Sequence, residues 1–199
     1  MHPNPLFRSE DRALFETLID QIAFGMVFLT TPDGPRVAHT PLLSTGDGAV
    51  QFHLARGNAL TRHLDGTTAL ITVNGPDHYV SPRWYADRGT VPTWDYVALE
   101  LEGRVRRMED EGLEAFLHTV IAKFENRTEG DNPWRAEEAS EALWAKLFKG
   151  IVGFEMEVQA WRPTLKLSQK KSPEERAAIA AGLEANGGAA LAALMRTLG

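Results

Sequence analysis

Asn74-Gly75-Pro76-Asp77-His78-Tyr79-Val80-Ser81-Pro82-Arg83-Trp84-Tyr85, a short Asp/Arg/Gly loop, and then Val91-Pro92-Thr93-Trp94-Asp95-Tyr96 form the stretch on which the fold is read. It holds all three tyrosines, two of the five tryptophans and three of the eleven prolines. Each proline fixes φ and removes a backbone donor, so the stretch is expected to be neither a helix interior nor a central strand. A rigid loop carrying flat side chains with polar tips is what remains. Such a loop either walls a planar ligand or a subunit contact, as scaffold-held loops often do, or simply covers the core.

On both sides of this loop the pattern is that of strands. Phe24 to Thr31 is an apolar run ending at the Asp33-Gly34 turn, and Arg36 to Leu43 and Ala49 to Ala55 flank Thr45-Gly46-Asp47-Gly48. Thr67 to Val73 is β-branched and apolar. Tyr96 to Met108 alternates Val97, Leu99, Leu101, Gly103 and Val105 against a charged face, and Gly150 to Trp161 alternates in the same way. Helical spacing covers Ser9 to Gln21, with Ser9 as the expected N-cap, a short piece from Asn58 to Leu64, and Glu109 to Phe124. It returns in Ala136 to Leu147 and in a tail that opens at Ser172-Pro173 and breaks at Asn186-Gly187-Gly188. Six strands without a βαβ rhythm predict an α+β, mainly antiparallel barrel with peripheral helices. Residues 1–199 read as one domain, with a helical insertion at about 109–148 and a helical tail from about 172.

Composition narrows the chemistry. There is no cysteine, which excludes disulfides, thiolate metal sites and a cysteine nucleophile. The first residues carry no apolar signal segment and no apolar run is of membrane-spanning length, so a cytoplasmic location is expected. The net charge of −6, with no basic stripe and no helix-turn-helix signature, argues against direct DNA binding. No Gly-x-Gly-x-x-Gly, His-Glu-x-x-His, Gly-x-Ser-x-Gly or phosphate loop is present, and no metal site is expected.

Tyr79-Val80-Ser81-Pro82-Arg83-Trp84-Tyr85 followed by Val91-Pro92-Thr93-Trp94-Asp95-Tyr96 resembles the PaiB-type family, the FMN-binding negative transcriptional regulators. Thr40-Pro41-Leu42-Leu43, His53-Leu54-Ala55-Arg56-Gly57-Asn58, Ile151-Val152-Gly153-Phe154-Glu155 and Lys166-Leu167-Ser168-Gln169 match in the same order, so the resemblance covers nearly the whole chain. It implies a six-stranded split β-barrel that forms a homodimer and binds FMN between two subunits. Where the family usually ends the last motif in Asn, this chain has Lys170, which puts any contact by Asn there in doubt.

The residues themselves suggest where a phosphorylated flavin would lie. Arg56 and Asn58, with Thr61 and Arg62 a turn later, form a cationic corner at the end of a strand, suited to an anion, or else a capped turn with a surface arginine. His39 and His53 would face each other if their hairpin were centred on Gly46, and lie on opposite faces if the register slips by one; a lone strand histidine is more often structural. The resemblance implies that His39, Thr40, Pro41 and Leu42 run along the flavin ring. It also implies that Lys166, Ser168 and Gln169 face flavin and substrate. Trp94 and Tyr96 are candidates to border the ring and Trp84 and Tyr85 to meet the partner subunit, and the sequence leaves open which does which. Three functions stay open: a flavin-linked regulator or sensor with a protein partner, a flavin-dependent oxidoreductase acting on a small substrate, and a haem-binding or haem-degrading barrel with His39 or His53 as ligand.

Overall fold

Pro41 cannot donate to a sheet, and in the computed structural model the second strand ends on it. The structure describes residues 2–86 and 88–198; Met1, Gly199 and Asp87 of the aromatic stretch lie outside the described residues. The strands are β1 (Phe24–Thr31), β2 (Gly34–Pro41), β3 (Leu43–Ser44), β4 (Ala49–Ala55), β5 (Thr68–Val80), β6 (Thr93–Arg107) and β7 (Ile151–Lys166). The helices are α1 (Arg12–Ile22), α2 (Thr61–Leu64), α3 (Asp110–Thr128), α4 (Glu141–Phe148), α5 (Pro173–Ala185) and α6 (Ala189–Leu198). No helix among the described residues is long and apolar enough to cross a membrane.

The sheet therefore has seven strands among the described residues, in the order β2-β1-β5-β6-β7-β4-β3, where six were expected. The extra strand is a fragment of the second: Pro41 ends β2, Leu42 turns inward, and the chain pairs again as β3. β1 is antiparallel to β2 and β5, and β4 is antiparallel to β3 and β7. β2 and its own continuation β3 thus occupy the two ends of the sheet order. The chain at Pro41-Leu42 joins them, and the sheet closes on itself.

Two compact units divide the chain. One, the barrel unit, comprises Glu16–Thr72 and Leu101–Trp161; the other, the terminal unit, comprises Met1–Phe15, Val73–Glu100 and Arg162–Gly199. The closure lies inside the barrel unit. Leu42 is fully buried, and its amide donates to the carbonyl of Ala23 at 2.9 Å. Ala23 reaches that position with φ of 53°, a left-handed conformation that costs a residue with a Cβ some strain. The Thr40 hydroxyl, also buried, donates to the carbonyl of His53 on β4 at 2.7 Å. Gly25 has to be glycine, because a Cβ there would lie 2.4 Å from Leu42 Cδ1 and 2.7 Å from the Thr72 carbonyl oxygen. Below the seam, Phe52 and Phe154 stack at 5.5 Å across the β4–β7 ladder, among buried Val27, Val50, Leu101 and Met156. Met108, Leu113 and Phe116 extend this core beneath α3, with Phe148 and Ile151 packed alongside.

The terminal unit is built on an α5–α6 hairpin. Ser172 and Glu175 form a capping box with Pro173 at the first turn, as the sequence predicts, and Ile179, Leu183, Leu191 and Met195 bury the facing sides. Several boundaries differ from expectation. α1 starts three residues after Ser9 because Asp11, not Ser9, accepts from Leu14 N at 3.1 Å; the Ser9 hydroxyl accepts from Asp11 N instead. β5 does not stop at Val73 but runs through Pro76 to Val80, against the expectation of a loop from Asn74. Its partner β1 pairs only with residues 70–72, so the β1 ladder has ended before Pro76, where its missing donor costs that ladder nothing. Between Ala136 and Leu147 there are a 3-10 turn at Ala136–Glu138 and then α4, capped by the Ser140 hydroxyl.

Leu42→Ala is expected to lower stability by about 2–5 kcal/mol, the range for deleting a fully buried leucine. Leu43→Ala, one residue on and only half-buried, should cost clearly less. Urea unfolding of the two variants measures both, and equal losses would mean that Leu42 does not close the sheet.

Candidate functional site

The barrel unit carries the first group of expected site residues. Thr40 and His53 are brought together by the closure bond, but His39 and His53 are not opposite each other. The ladder partner of His39 is Met26 and that of His53 is Gly153. The short hairpin pairs Leu43 with Gln51, which centres it on Asp47, one residue beyond Gly46. His39 is exposed, on the outer side of the β1–β2 ladder with Val37 and Phe24, which are 44% and 52% exposed. Met26 and Phe28 share that side and are half-buried, so the hairpin presents an apolar outer face. A cavity of about 460 Å³ opens beside it, lined by Phe28, Pro35, Arg36, Thr68, Leu70 and Glu102 among others.

His53 packs edge-on against Phe116 at 5.7 Å, and its Nδ1 is buried with no hydrogen-bond partner. Burial disfavours the imidazolium and holds its pKa below the ordinary 6.5. Past β4 the chain makes a compact turn. Arg56 lays its guanidinium across the start of β7, donating from Nε to the Lys149 carbonyl at 2.9 Å and from Nη2 to the Ile151 carbonyl at 3.1 Å. The remaining guanidinium donors face outward on an exposed side chain. Asn58 accepts from Leu60 N at 2.9 Å, and the Thr61 hydroxyl is spent on the Ala55 carbonyl. The exposed amides of Gly57 and Ala59 meet no acceptor among the described residues. Arg62 pairs with Asp33 at 3.2 Å and so ties this turn to the tip of the β1–β2 hairpin. The donors fit a phosphate, and the apolar hairpin face fits a flat ring.

The terminal unit carries the second group, organised by a residue missing from the expected set. Asp95 on β6 is completely buried. Ser168 donates to its Oδ2 from a left-handed backbone position with φ of 56°. Lys166 Nζ stands 3.7 Å from Oδ1, which has no hydrogen-bond partner, and donates to Thr93 Oγ1 and to the Trp94 carbonyl. Gln169 folds back on its own chain, accepting from Leu167 N at 2.9 Å and donating to the Leu165 carbonyl. Trp94, 52% exposed, donates from its indole to Asp77 Oδ1 at 2.8 Å and rests edge-on against Tyr79. Tyr96 is half-buried. Asp95 was legible in principle, since it precedes Val97 and Leu99 on the inward side of the alternation; the aromatic residues around it masked that signal.

Residues 1–160 match the family described as "Putative FMN-binding domain". The chain belongs to this family. It is similar to the protease synthase and sporulation protein PAI 2 of Bacillus subtilis, with 32% identity over 77% of this chain and 75% of the relative. An Emericella nidulans protein is 28% identical over 75% of this chain and 73% of its own. Among solved structures, an FAD and heme binding protein from Mycobacterium smegmatis superposes with a TM-score of 0.61 at 18% identity, covering 85% of this chain and 78% of that one. The flavocytochrome Anf3 from Azotobacter vinelandii gives 0.60 at 15% identity, covering 89% and 78%. At these identities the two structures speak for the fold alone, and that fold is the split barrel of flavoproteins. FMN is the cofactor of the family, and the motif resemblance to the PaiB type is upheld over most of the chain.

Within this FMN-binding protein the Asp95 carboxyl has a definite electrostatic signature. Burial raises its pKa above the ordinary 3.8; the Ser168 bond and Lys166 oppose that without cancelling it. The folded state therefore holds this proton more tightly than the unfolded chain. The folded state is favoured at acid pH, and that advantage disappears as pH rises from the ordinary carboxylate range through the raised pKa. Asp95→Asn is expected to flatten this part of the stability–pH curve, read by thermal unfolding between pH 4 and 8. A variant curve parallel to that of the parent protein would mean that Asp95 is ionised throughout.

Proposed function

We propose that FMN is held on the barrel unit, with its phosphate at the Arg56-Gly57-Asn58 turn and its isoalloxazine against the β1–β2 hairpin along His39, Thr40, Pro41 and Leu42. The observation that carries this reading is the donor arrangement at the turn: a guanidinium already oriented by two carbonyls, beside two amides without acceptors, at the end of a strand fixed by the closure. Pre-orientation lowers the entropy that binding a phosphate would otherwise cost. His53, half-buried and with its pKa held below the ordinary value, favours the uncharged imidazole at the seam. Bound FMN supplies one- and two-electron redox chemistry at its ring.

The same proposal makes the protein a homodimer. Phe24 and Val37 on the outer hairpin face are exposed apolar side chains, and a second copy would cover them together with the ring. Of the expected terminal-unit residues, Trp94 is the exposed one. Tyr96, Lys166, Ser168 and Gln169 shape the segment that carries it. The function that fits is a flavin-linked sensor of the PaiB type, responding through its ring to redox state and acting through a protein partner. Direct DNA contact is not part of the proposal, because a chain of net charge −6 has little to offer a phosphate backbone.

A second reading, a flavin-dependent oxidoreductase, is favoured by Asp95, a buried acid that can hold and release a proton beside Lys166 and Ser168. Consumption of NAD(P)H with an added acceptor separates enzyme from sensor. A haem reading rests on the unpaired Nδ1 of His53 and predicts a Soret band.

Arg56→Ala is expected to weaken FMN binding by about 1–3 kcal/mol, the range for losing a charge-assisted hydrogen bond. A flavin fluorescence titration well below the melting temperature measures this apart from the lost clip on β7, and unchanged affinity would remove Arg56 as the phosphate anchor. Native mass spectrometry should find two chains with bound FMN. A flavin-loaded monomer would refute the dimer.

A further inference from the structure

Outside the residues that match the family, the α5–α6 hairpin contains an arginine that the fold leaves without an anion. Arg176 stands on the first turns of α5, half-buried, and its Nε is buried with no hydrogen-bond partner. Every carboxylate close to it in sequence is already engaged. Glu174 accepts from the Ser172 hydroxyl at 2.8 Å, and Glu175 accepts from Ser172 N at 3.2 Å and pairs with Lys171 at 3.4 Å. On α6, Arg196 commits both terminal nitrogens to Glu184. No ion pair reaches Arg176 among the described residues. A buried guanidinium donor without an acceptor is costly, because it has lost water and gained nothing.

The same side chain lines a cavity. Arg176 and Arg196 flank a cavity of about 290 Å³ whose other walls are Pro173, Ala177 and Met195. That is the small end of ligand pockets, ~300 Å³ upward. One uncommitted cation, Arg176, beside an apolar wall of a ring, a methyl group and a thioether selects for charge and for hydrocarbon together. Inorganic phosphate would satisfy the charge and leave the wall wet. A cationic or neutral ligand would leave Arg176 as it is.

We infer that this cavity binds a small organic carboxylate with a short apolar chain, its carboxylate on Arg176 and its hydrocarbon against Met195 and Ala177. Arg176 makes the bidentate pair because its planar fork is uncommitted; Arg196, neutralised by Glu184, borders the site. The inference does not depend on where FMN binds.

Sodium hexanoate titrated into the ¹⁵N-labelled full-length protein tests it. The Arg176 Nε–H resonance is expected to shift saturably, with acetate binding more weakly and sodium chloride at equal ionic strength leaving it in place. Arg176→Gln should weaken hexanoate binding roughly tenfold to a hundredfold, as loss of a charged hydrogen-bond pair does, and Arg176→Lys should fall between. The flavin content of each variant should stay at the parent level. An equal response to chloride, no preference for hexanoate over acetate, or full affinity in Arg176→Gln overturns the proposal. So does a change in subunit count in Arg176→Gln without any hexanoate binding to the parent protein, which would assign the cavity to a protein contact.

Discussion

The barrel unit depends on one interruption in hydrogen bonding. Pro41 has no amide hydrogen to continue β2, so the chain leaves one end of the sheet, buries Leu42, and re-enters at the other end as β3. A sheet closed in this way has no long free edge at that seam, and the closing bonds are few: Leu42 to Ala23 and Thr40 to His53. Apolar packing beneath them carries the energy. The bonds choose the register, because a slip of one residue would turn Thr40 and Ala38 outward and His39 inward.

The proposed flavin site follows from that choice. The closure places the β4 backbone at His53 beside β2, and β4 then delivers Arg56 to the start of β7, where two carbonyls set the plane of its guanidinium. Neither the strand nor the turn is a binding element alone. Position comes from the ladder and charge from the turn. The terminal unit uses a different device, a buried carboxyl around which Ser168, Lys166 and Thr93 are arranged, and the exposed indole of Trp94 is held at the edge of that arrangement.

Much of this was legible in the amino-acid order. β1 ends before Pro32-Asp33 and β4 lies between Gly48 and Arg56, as their apolar runs predict, and the Ser172-Pro173 start of α5 is a local signal that tertiary contacts had no cause to override. The PaiB-type motifs were enough to place the chain in its FMN-binding family. What failed to show did so for physical reasons. Pro76 argues against a strand only where a neighbour requires its amide, and which half of β5 has such a neighbour is a tertiary fact. Asp11 and Ser9 are both good caps, and it is Asp11 that takes Leu14 N in the folded chain. Lys166, Ser168 and Gln169 were expected to face flavin and substrate, and in the folded chain their side chains bond Thr93, Asp95 and their own backbone. A single sequence gives no sign of those bonds.

The seam also governs how quickly the ring can assemble. The β1–β2 hairpin joins near neighbours in the chain through the tight turn at Pro32-Asp33, and such local pairing forms on the order of microseconds. β4 has to find β7, pairing Ala49 with Glu157 across roughly a hundred residues, before β3 can complete the ring. Loop-closure entropy makes that step slow. Until it happens, the ring is open between β4 and β7, and the free edge of β4 is an open template for another strand. Nascent chains are therefore most prone to mispairing with one another in the interval between hairpin formation and ring closure.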